Sequence, residues 1–210
     1  MKIQLALDNL SLEKDIGLVK ELRGDIDIIE IGTPLLLRYG LEIIPCIQKL
    51  MLNNLLLVDA KIVDAGELET EMILKSGVDI VTVLAGSNNR TVINALEVAK
   101  RYQKEIMIDL IDCNKKVERI KELAAFGANY FCLHRPSDIS LEKELIIPER
   151  NKLPKNCKIA VAGGISLDNI EEVTKHKPEI VIIGSAITES VSPCLVLKKI
   201  KEYIKKGINN

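Results

Sequence analysis

The sequence predicts an α/β protein, a (β/α)8 TIM barrel formed as a single domain over residues 1–210. Three observations carry that prediction: eight short β-rich runs recur along the chain, amphipathic stretches separate them, and the runs are almost continuously apolar. Strands that read this way are buried on both faces, as in a parallel sheet covered by helices. A count of eight favours closure into a barrel over an open sheet, and 210 residues suit a one-domain barrel.

The strand candidates are 3–8, 27–32, 55–62, 79–85, 105–111, 130–135, 158–165 and 180–187. The stretches 11–22, 90–102, 115–126 and 167–176 carry apolar residues at i, i+3, i+4 and i+7, the pattern of one buried helix face. Ser11 reads as an N-cap, Ser166 sets off the run LDNIEEV, and Gly77 and Gly127 read as C-terminal stops. Segment 137–154 departs from the pattern. Pro136, Pro148 and Pro154 interrupt its weak helical periodicity, so the sixth helix is expected to be short or irregular. The tail KKIKEYIKKGINN reads as a final amphipathic helix that frays, and its lysines, with His176, as solvated surface.

Composition excludes several function classes. A formal net charge of -1 offers no broad basic field, and 3% aromatic residues without Trp offer few platforms for stacking bases, so nucleic acid is not expected as a partner. The opening MKIQLALDNL lacks the apolar core of a signal peptide, and no apolar run reaches the roughly 18 to 20 residues that span a bilayer. Neither secretion nor a membrane is expected; the expected location is cytoplasmic. Cys46, Cys113, Cys132, Cys157 and Cys194 are scattered without a C-x-x-C pair, and read as reduced, mostly buried small hydrophobes.

The chemistry concentrates in LLLVDAKIVD, residues 55–64, where two acids and a base interrupt an apolar run. Burying such charges unpaired costs several kcal/mol. On a regular strand Asp59 and Lys61 point to one face about 6 to 7 Å apart, and Asp64 falls where strand gives way to loop. This array is a candidate proton-transfer centre, and a purely structural ion pair is its alternative. In a parallel barrel, polar residues at strand C-terminal ends form the active face. Asp8, Glu30, Asp59, Lys61, Asp109 and His134 all fall there. Glu30 and Asp59, on adjacent strands, are candidate ligands for Mg2+, which suits one or two carboxylates completed by water and substrate oxygens. Pairing of Glu30 with Lys61 is the other reading. Strands seven and eight end in Gly163-Gly164 and Gly184-Ser185, and glycine turns at those positions favour a phosphate site.

Assembled, these residues resemble the orotidine 5'-monophosphate decarboxylase suprafamily over nearly the whole chain, and within it the 3-hexulose-6-phosphate synthases. The resemblance rests on LALD with Asp8, DIIEIGTP with Glu30, Thr33 and Pro34, DAKIVDAG from Asp59, DIVTVL, MIDLI with Asp109, His134, AVAGGI and VIIGSAIT. It implies that Glu30 and Asp59 hold Mg2+, that Lys61 lies beside that site with Asp8, and that His134 carries a proton. It further implies that Asp109 belongs to the substrate site and that Gly163, Gly164, Gly184 and Ser185 cradle a sugar phosphate. Asp64 is implied to reach the neighbouring subunit's site, hence a homodimer. The implied reaction is an aldol addition of D-ribulose 5-phosphate, as its enediolate, to formaldehyde. The similar 3-keto-L-gulonate-6-phosphate decarboxylases carry Gly-Arg-Ser where this chain has Gly184-Ser185-Ala186, and a further arginine where it has Ser137. A non-catalytic sugar-phosphate-binding barrel is the third reading. The chain departs from the synthases after His134, where Arg135-Pro136-Ser137 replaces their Thr-Gly-x, and at Ala85-Gly86-Ser87-Asn88.

Overall fold

A computed structural model describes residues 1–9, 11–138 and 147–209, the last two of them as backbone. Its eight strands are β1 (Lys2–Leu7), β2 (Ile28–Ile31), β3 (Leu55–Ile62), β4 (Ile80–Leu84), β5 (Glu105–Asp109), β6 (Tyr130–His134), β7 (Lys158–Ala162) and β8 (Ile180–Ile183). They pair in parallel in sequence order, and β8 returns to β1 to close the barrel. The helices are α1 (Leu12–Leu22), α2 (Thr33–Tyr39), α3 (Ile43–Gln48), α4 (Gly66–Leu74), α5 (Asn89–Tyr102), α6 (Lys116–Ala125), α7 (Ile170–Lys175), α8 (Ser185–Thr188) and α9 (Pro193–Asn209). None among the described residues is long and apolar enough to cross a membrane.

Alternation along each strand divides the apolar residues between two regions. Leu5, Leu7, Ile29, Ile31, Leu56 and Val58 face outward and pack under the helices. Ala6, Ile28, Leu57, Ile80, Met107, Tyr130, Cys132 and Ile182 fill the barrel interior. Because side chains repeat every second residue, the position two residues beyond an interior residue faces the same way, one layer nearer the C-terminal mouth. The outermost of those positions are Asp8, Glu30, Asp59, Thr82, Asp109, His134 and Gly184. An apolar floor thus lies under a polar mouth. At the opposite end, Asp27, Asp79 and Glu179 accept hydrogen bonds from the N–H groups of Ile3, Leu56 and Ile159, which stitches neighbouring strands where the barrel is structural.

Several elements differ from the sequence reading. Strands seven and eight stop at Ala162 and Ile183, short of 165 and 187, because Gly163 takes φ 95° and Ser185 opens α8. The helix expected at 167–176 begins only at Ile170, after a turn closed by Ser166 and Asn169. Ser11 caps α1 through Lys14 N–H as its position predicts, and Gly77 and Gly127 both adopt positive φ after their helices. Of the irregular segment 137–154, residues 139–146 lie outside the described residues; a single 3-10 turn, Arg150–Lys152, follows. The five cysteines are free, but contrary to the expectation that most are buried, only Cys132 and Cys157 are. Cys46 and Cys194 lie on helix faces turned to solvent, and Cys113 is half-buried. His176 is exposed.

Buried Asp15 near the start of α1 accepts from the Asn9 side chain at 2.8 Å, while its other oxygen has no partner among the described residues. Burial lifts its carboxyl from 3.8 to about 6. A folded-state pKa above the unfolded one means the native chain binds more protons between the two values, so this carboxyl costs stability as pH rises through about 4 to 6. Asp15→Asn, which keeps an acceptor for Asn9, is expected to raise stability by about 1–3 kcal/mol at pH 8 and by little at pH 4. Denaturant titrations at both pH values measure the difference.

Candidate active site

The polar mouth opens into a cavity of about 640 Å3 lined by Asp8, Glu30, Asp59, Lys61, Thr82, Asp109, His134, Gly163, Gly164, Gly184 and Ser185, among others. Ten of the eleven residues that the sequence singles out therefore share one space. Asp64 is the exception: it is exposed beyond β3 and does not line this chain's cavity.

At its centre is Asp59, which is 7% exposed. Its Oδ1 accepts from the Thr82 hydroxyl at 2.6 Å, and its Oδ2 from the Thr33 hydroxyl at 3.0 Å and from the Lys61 ammonium. Lys61 also faces Asp109 Oδ2 at 3.5 Å. Burial acts to lower the Lys61 pKa, but the charges of Asp59 and Asp109 outweigh it and hold the ammonium protonated well above its usual range. His134 Nδ1 meets Asp109 Oδ2 at 2.9 Å, and the N–H of Ile111 donates to Asp109 Oδ1 at 3.0 Å. Burial would raise Asp109, yet the hydrogen bond and charge of His134, with Lys61, bring it below the usual carboxylate range. Asp109 thus meets His134, Lys61 and the Ile111 N–H at once, and it lines the cavity beside them.

Lys61 reaches this position through a local departure from the regular strand. Between β3 and β4 the register jumps from Val58 opposite Val81 to Ile62 opposite Val83, and Lys61 takes φ 47°. A left-handed conformation in a lysine costs about 1 kcal/mol or more and persists only where surroundings impose it. Here the Lys61 N–H donates to the Thr82 hydroxyl at 2.9 Å, and that hydroxyl in turn donates to Asp59. The even 6 to 7 Å spacing expected of a flat strand is replaced by a bulge that folds the ammonium back onto Asp59. Thr82 was not singled out by the sequence; its signal was an inward position with a hydroxyl inside the apolar run DIVTVL.

Glu30 does not take Lys61 as its hydrogen-bond partner. Its Oε2 accepts from the Gln4 amide at 2.6 Å. Burial first, and the charge of Asp59 second, hold its carboxyl well above the usual range. Asp8, at the solvent-reached rim, is raised for the same two reasons. Three carboxylates that repel one another, presented with hard oxygens toward one cavity, suit a divalent oxygen-seeking cation. Gln4 was also missed, although an amide two residues before an inward Ala6 is an unusual interior residue.

At this mouth, Gly32 and Gly163 are dictated by close approach. A Cβ on Gly32 would stand 2.0 Å from Asp8 Oδ1, so the chain after β2 leaves room for that carboxylate. A Cβ on Gly163 would stand 2.2 Å from the Arg135 carbonyl oxygen. Gly163→Ala is expected to lose about 2 kcal/mol or more of stability, from the clash and from φ 95° together. Denaturant titration measures the loss.

An acid–base array at the C-terminal mouth of a closed eight-stranded barrel defines a TIM-barrel enzyme. A family model, orotidine 5'-phosphate decarboxylase / HUMPS, matches residues 1–200, and the chain belongs to that family. A relative from Bacillus subtilis (strain 168), named 3-hexulose-6-phosphate synthase, is 37% identical over 210 residues, covering 99% of this chain and all of that protein. The crystal structure of 3-hexulose-6-phosphate synthase from Salmonella typhimurium superposes with a TM-score of 0.90 at 32% identity, covering 99% of this chain and 100% of that one. The fold is also that of KGPDC from Streptococcus mutans, with a TM-score of 0.88 at 23% identity over 98% of this chain and 97% of that one. Relatives so named place the chain among carbon–carbon lyases of the aldehyde-lyase type.

Proposed function

We propose that this protein condenses formaldehyde with D-ribulose 5-phosphate to 3-hexulose 6-phosphate, by way of an enediolate of the ketose phosphate. The observation that carries this reading is the convergence of Glu30, Asp59, Lys61, Asp109 and His134 on one cavity whose other wall holds the glycine turns at Gly163 and Gly184. Full-length relatives named for this synthase support it.

Glu30 and Asp59 would hold Mg2+, and their repulsion in its absence fits that assignment. Bound there, the cation would supply Lewis-acid stabilisation of negative charge on substrate oxygens. The protein's own groups do the rest. The Asp109 carboxylate accepts from His134 Nδ1, which leaves Nε2 toward the cavity to take or return the proton at C1. Lys61, kept charged by Asp59 and Asp109, donates toward developing negative charge on the substrate. The backbone at Gly163, Gly164, Gly184 and Ser185 receives the phosphate, leaving the reacting carbons over the acid–base array.

The test is metal-dependent consumption of formaldehyde by purified protein with D-ribulose 5-phosphate, run beside CO2 release from 3-keto-L-gulonate 6-phosphate. Exchange of the C1 proton with deuterated water is the companion measurement. Formaldehyde consumption with exchange is the expected result; exchange without consumption overturns the electrophile, and binding without exchange favours a non-catalytic barrel.

A homodimer belongs to the same proposal. Exposed Asp64 is followed on α4 by Leu68 and Met72, one turn apart on one face, and preceded by Val63; all three are at least half exposed to solvent. If Asp64 completes the neighbouring site, mixing inactive Asp64→Ala and Lys61→Ala chains is expected to restore about a quarter of wild-type activity, since half of the mixed dimers' sites are intact. No recovery on mixing removes Asp64 from the partner's site.

A further inference from the structure

The proposed reaction leaves one buried nucleophile at the site without a task. Cys132 and His134 lie two residues apart on β6 and face the interior together, and Asp109 on β5 is in register with Cys132. The Cys132 sulfur, a ring nitrogen of His134 and a carboxylate oxygen of Asp109 accordingly lie within 4.8 Å of one another. All three are carried by the adjacent strands β5 and β6 of the barrel wall. Cys132 is 2% exposed. Burial, with the charges of Asp109 and Glu30, holds its thiol protonated far above the usual range, so it packs as a neutral group when no cation is present.

One sulfur, one imidazole nitrogen and one carboxylate oxygen form a donor set for Zn2+ and its thiophilic analogue Cd2+, with the fourth position open to the cavity. It is chemically unlike the all-oxygen pair Glu30 and Asp59, which suits Mg2+. We propose that Asp109, Cys132 and His134 form a second, thiophilic metal site, whose occupation by a Zn2+-class ion disables the acid–base array. The thiol proton leaves to solvent as the sulfur–metal bond forms, and no electrons are transferred. The ion takes the Asp109 oxygen that now serves His134 at 2.9 Å and Lys61 at 3.5 Å. Lys61 is a cation facing the site, and its pairing with Asp59 tempers its repulsion of the incoming ion. The binding half of the proposal rests on geometry alone; the inhibition half rests on the proposed reaction.

Cadmium titration decides it. In a Cys46→Ser, Cys113→Ser, Cys194→Ser background, which removes the accessible thiols, one Cd2+ per chain is expected to bind with a thiolate-to-cadmium band in the ultraviolet. Adding Cys132→Ser is expected to abolish the band and weaken binding at least about 100-fold, above the range for loss of a mere supporting group. Cys157→Ser is expected to keep both. His134→Ala, a second variant, is expected to weaken binding even if Cys132→Ser fails to fold. A band that survives Cys132→Ser, or folded background protein that shows none, overturns the site. In the Mg2+-saturated enzyme, Zn2+ is expected to suppress C1 proton exchange and a chelator selective for Zn2+ over Mg2+ to restore it. Cadmium binding with undiminished exchange overturns the switch. Absence of exchange before Zn2+ is added overturns the proposed reaction instead, and the cadmium band still decides the site.

Discussion

Lys61→Ala is expected to lower the rate of C1 proton exchange by roughly 10²- to 10⁴-fold, the range over which a positioned proton-transfer group acts. Lys61 is the ammonium that Asp59 and Asp109 both face, and those charges keep it protonated throughout the physiological range. Its loss leaves Asp59 and Asp109 with no shared cation while Glu30 remains nearby, so stability is also expected to fall, by about 1–3 kcal/mol. Binding of ribulose 5-phosphate, which draws on the glycine turns across the cavity, is expected to change far less. Exchange monitored by proton NMR, with calorimetric binding of the same sugar phosphate, separates the two. Exchange at the wild-type rate would return Lys61 to a structural ion pair.

Glu30→Gln is expected to act with opposite signs on stability and activity. Burial and the Asp59 charge hold the Glu30 carboxyl well above 4.5, so its ionised form is a burden on the metal-free fold. The native state then binds more protons than the unfolded chain above pH 4.5, and metal-free protein loses stability as pH rises through the raised folded value. Glutamine keeps an oxygen for the Gln4 amide, at 2.6 Å in the present pair, and removes the charge. The variant is expected to be about 1–3 kcal/mol more stable than metal-free wild type at pH 8. With Glu30 as the proposed Mg2+ ligand, formaldehyde consumption in the presence of Mg2+ is expected to fall by roughly 100-fold or more, beyond the cost of disturbing a supporting group. Thermal melts with and without Mg2+, beside the formaldehyde assay, measure both. A variant that is no more stable and responds to Mg2+ as wild type does would exclude Glu30 as a ligand. The trade is expected where a fold gives up stability for function.

The positions of these groups were legible in the chain to different depths. Glu30, Asp59 and Asp109 could be placed at the mouth because each stands toward the C-terminal end of an apolar run of strand length, and in a parallel barrel those ends share one face. Partners were another matter. Glu30 finds Gln4 at a separation of 26 residues and Asp59 finds Thr82 at 23, pairings set by which strands adjoin and in what register. The Lys61 bulge was hidden for a related reason: DAKI carries no glycine or proline to mark a break in the strand, and its left-handed lysine is held where β4 offers the Thr82 hydroxyl to its N–H.

By itself the sequence determined the barrel, through eight apolar runs of strand length separated by amphipathic helices, and it determined which end of that barrel is polar. Both follow from periodicities of a few residues, which no distant contact alters. The tertiary structure alone decided how the acids and the base are wired. Asp109 serves His134 and Lys61 rather than solvent, Glu30 rests on Gln4, and Cys132 comes within 4.8 Å of two other ligand atoms. Those relations depend on closure of the sheet and on strand register, which the whole barrel sets together, and so no single segment contains them.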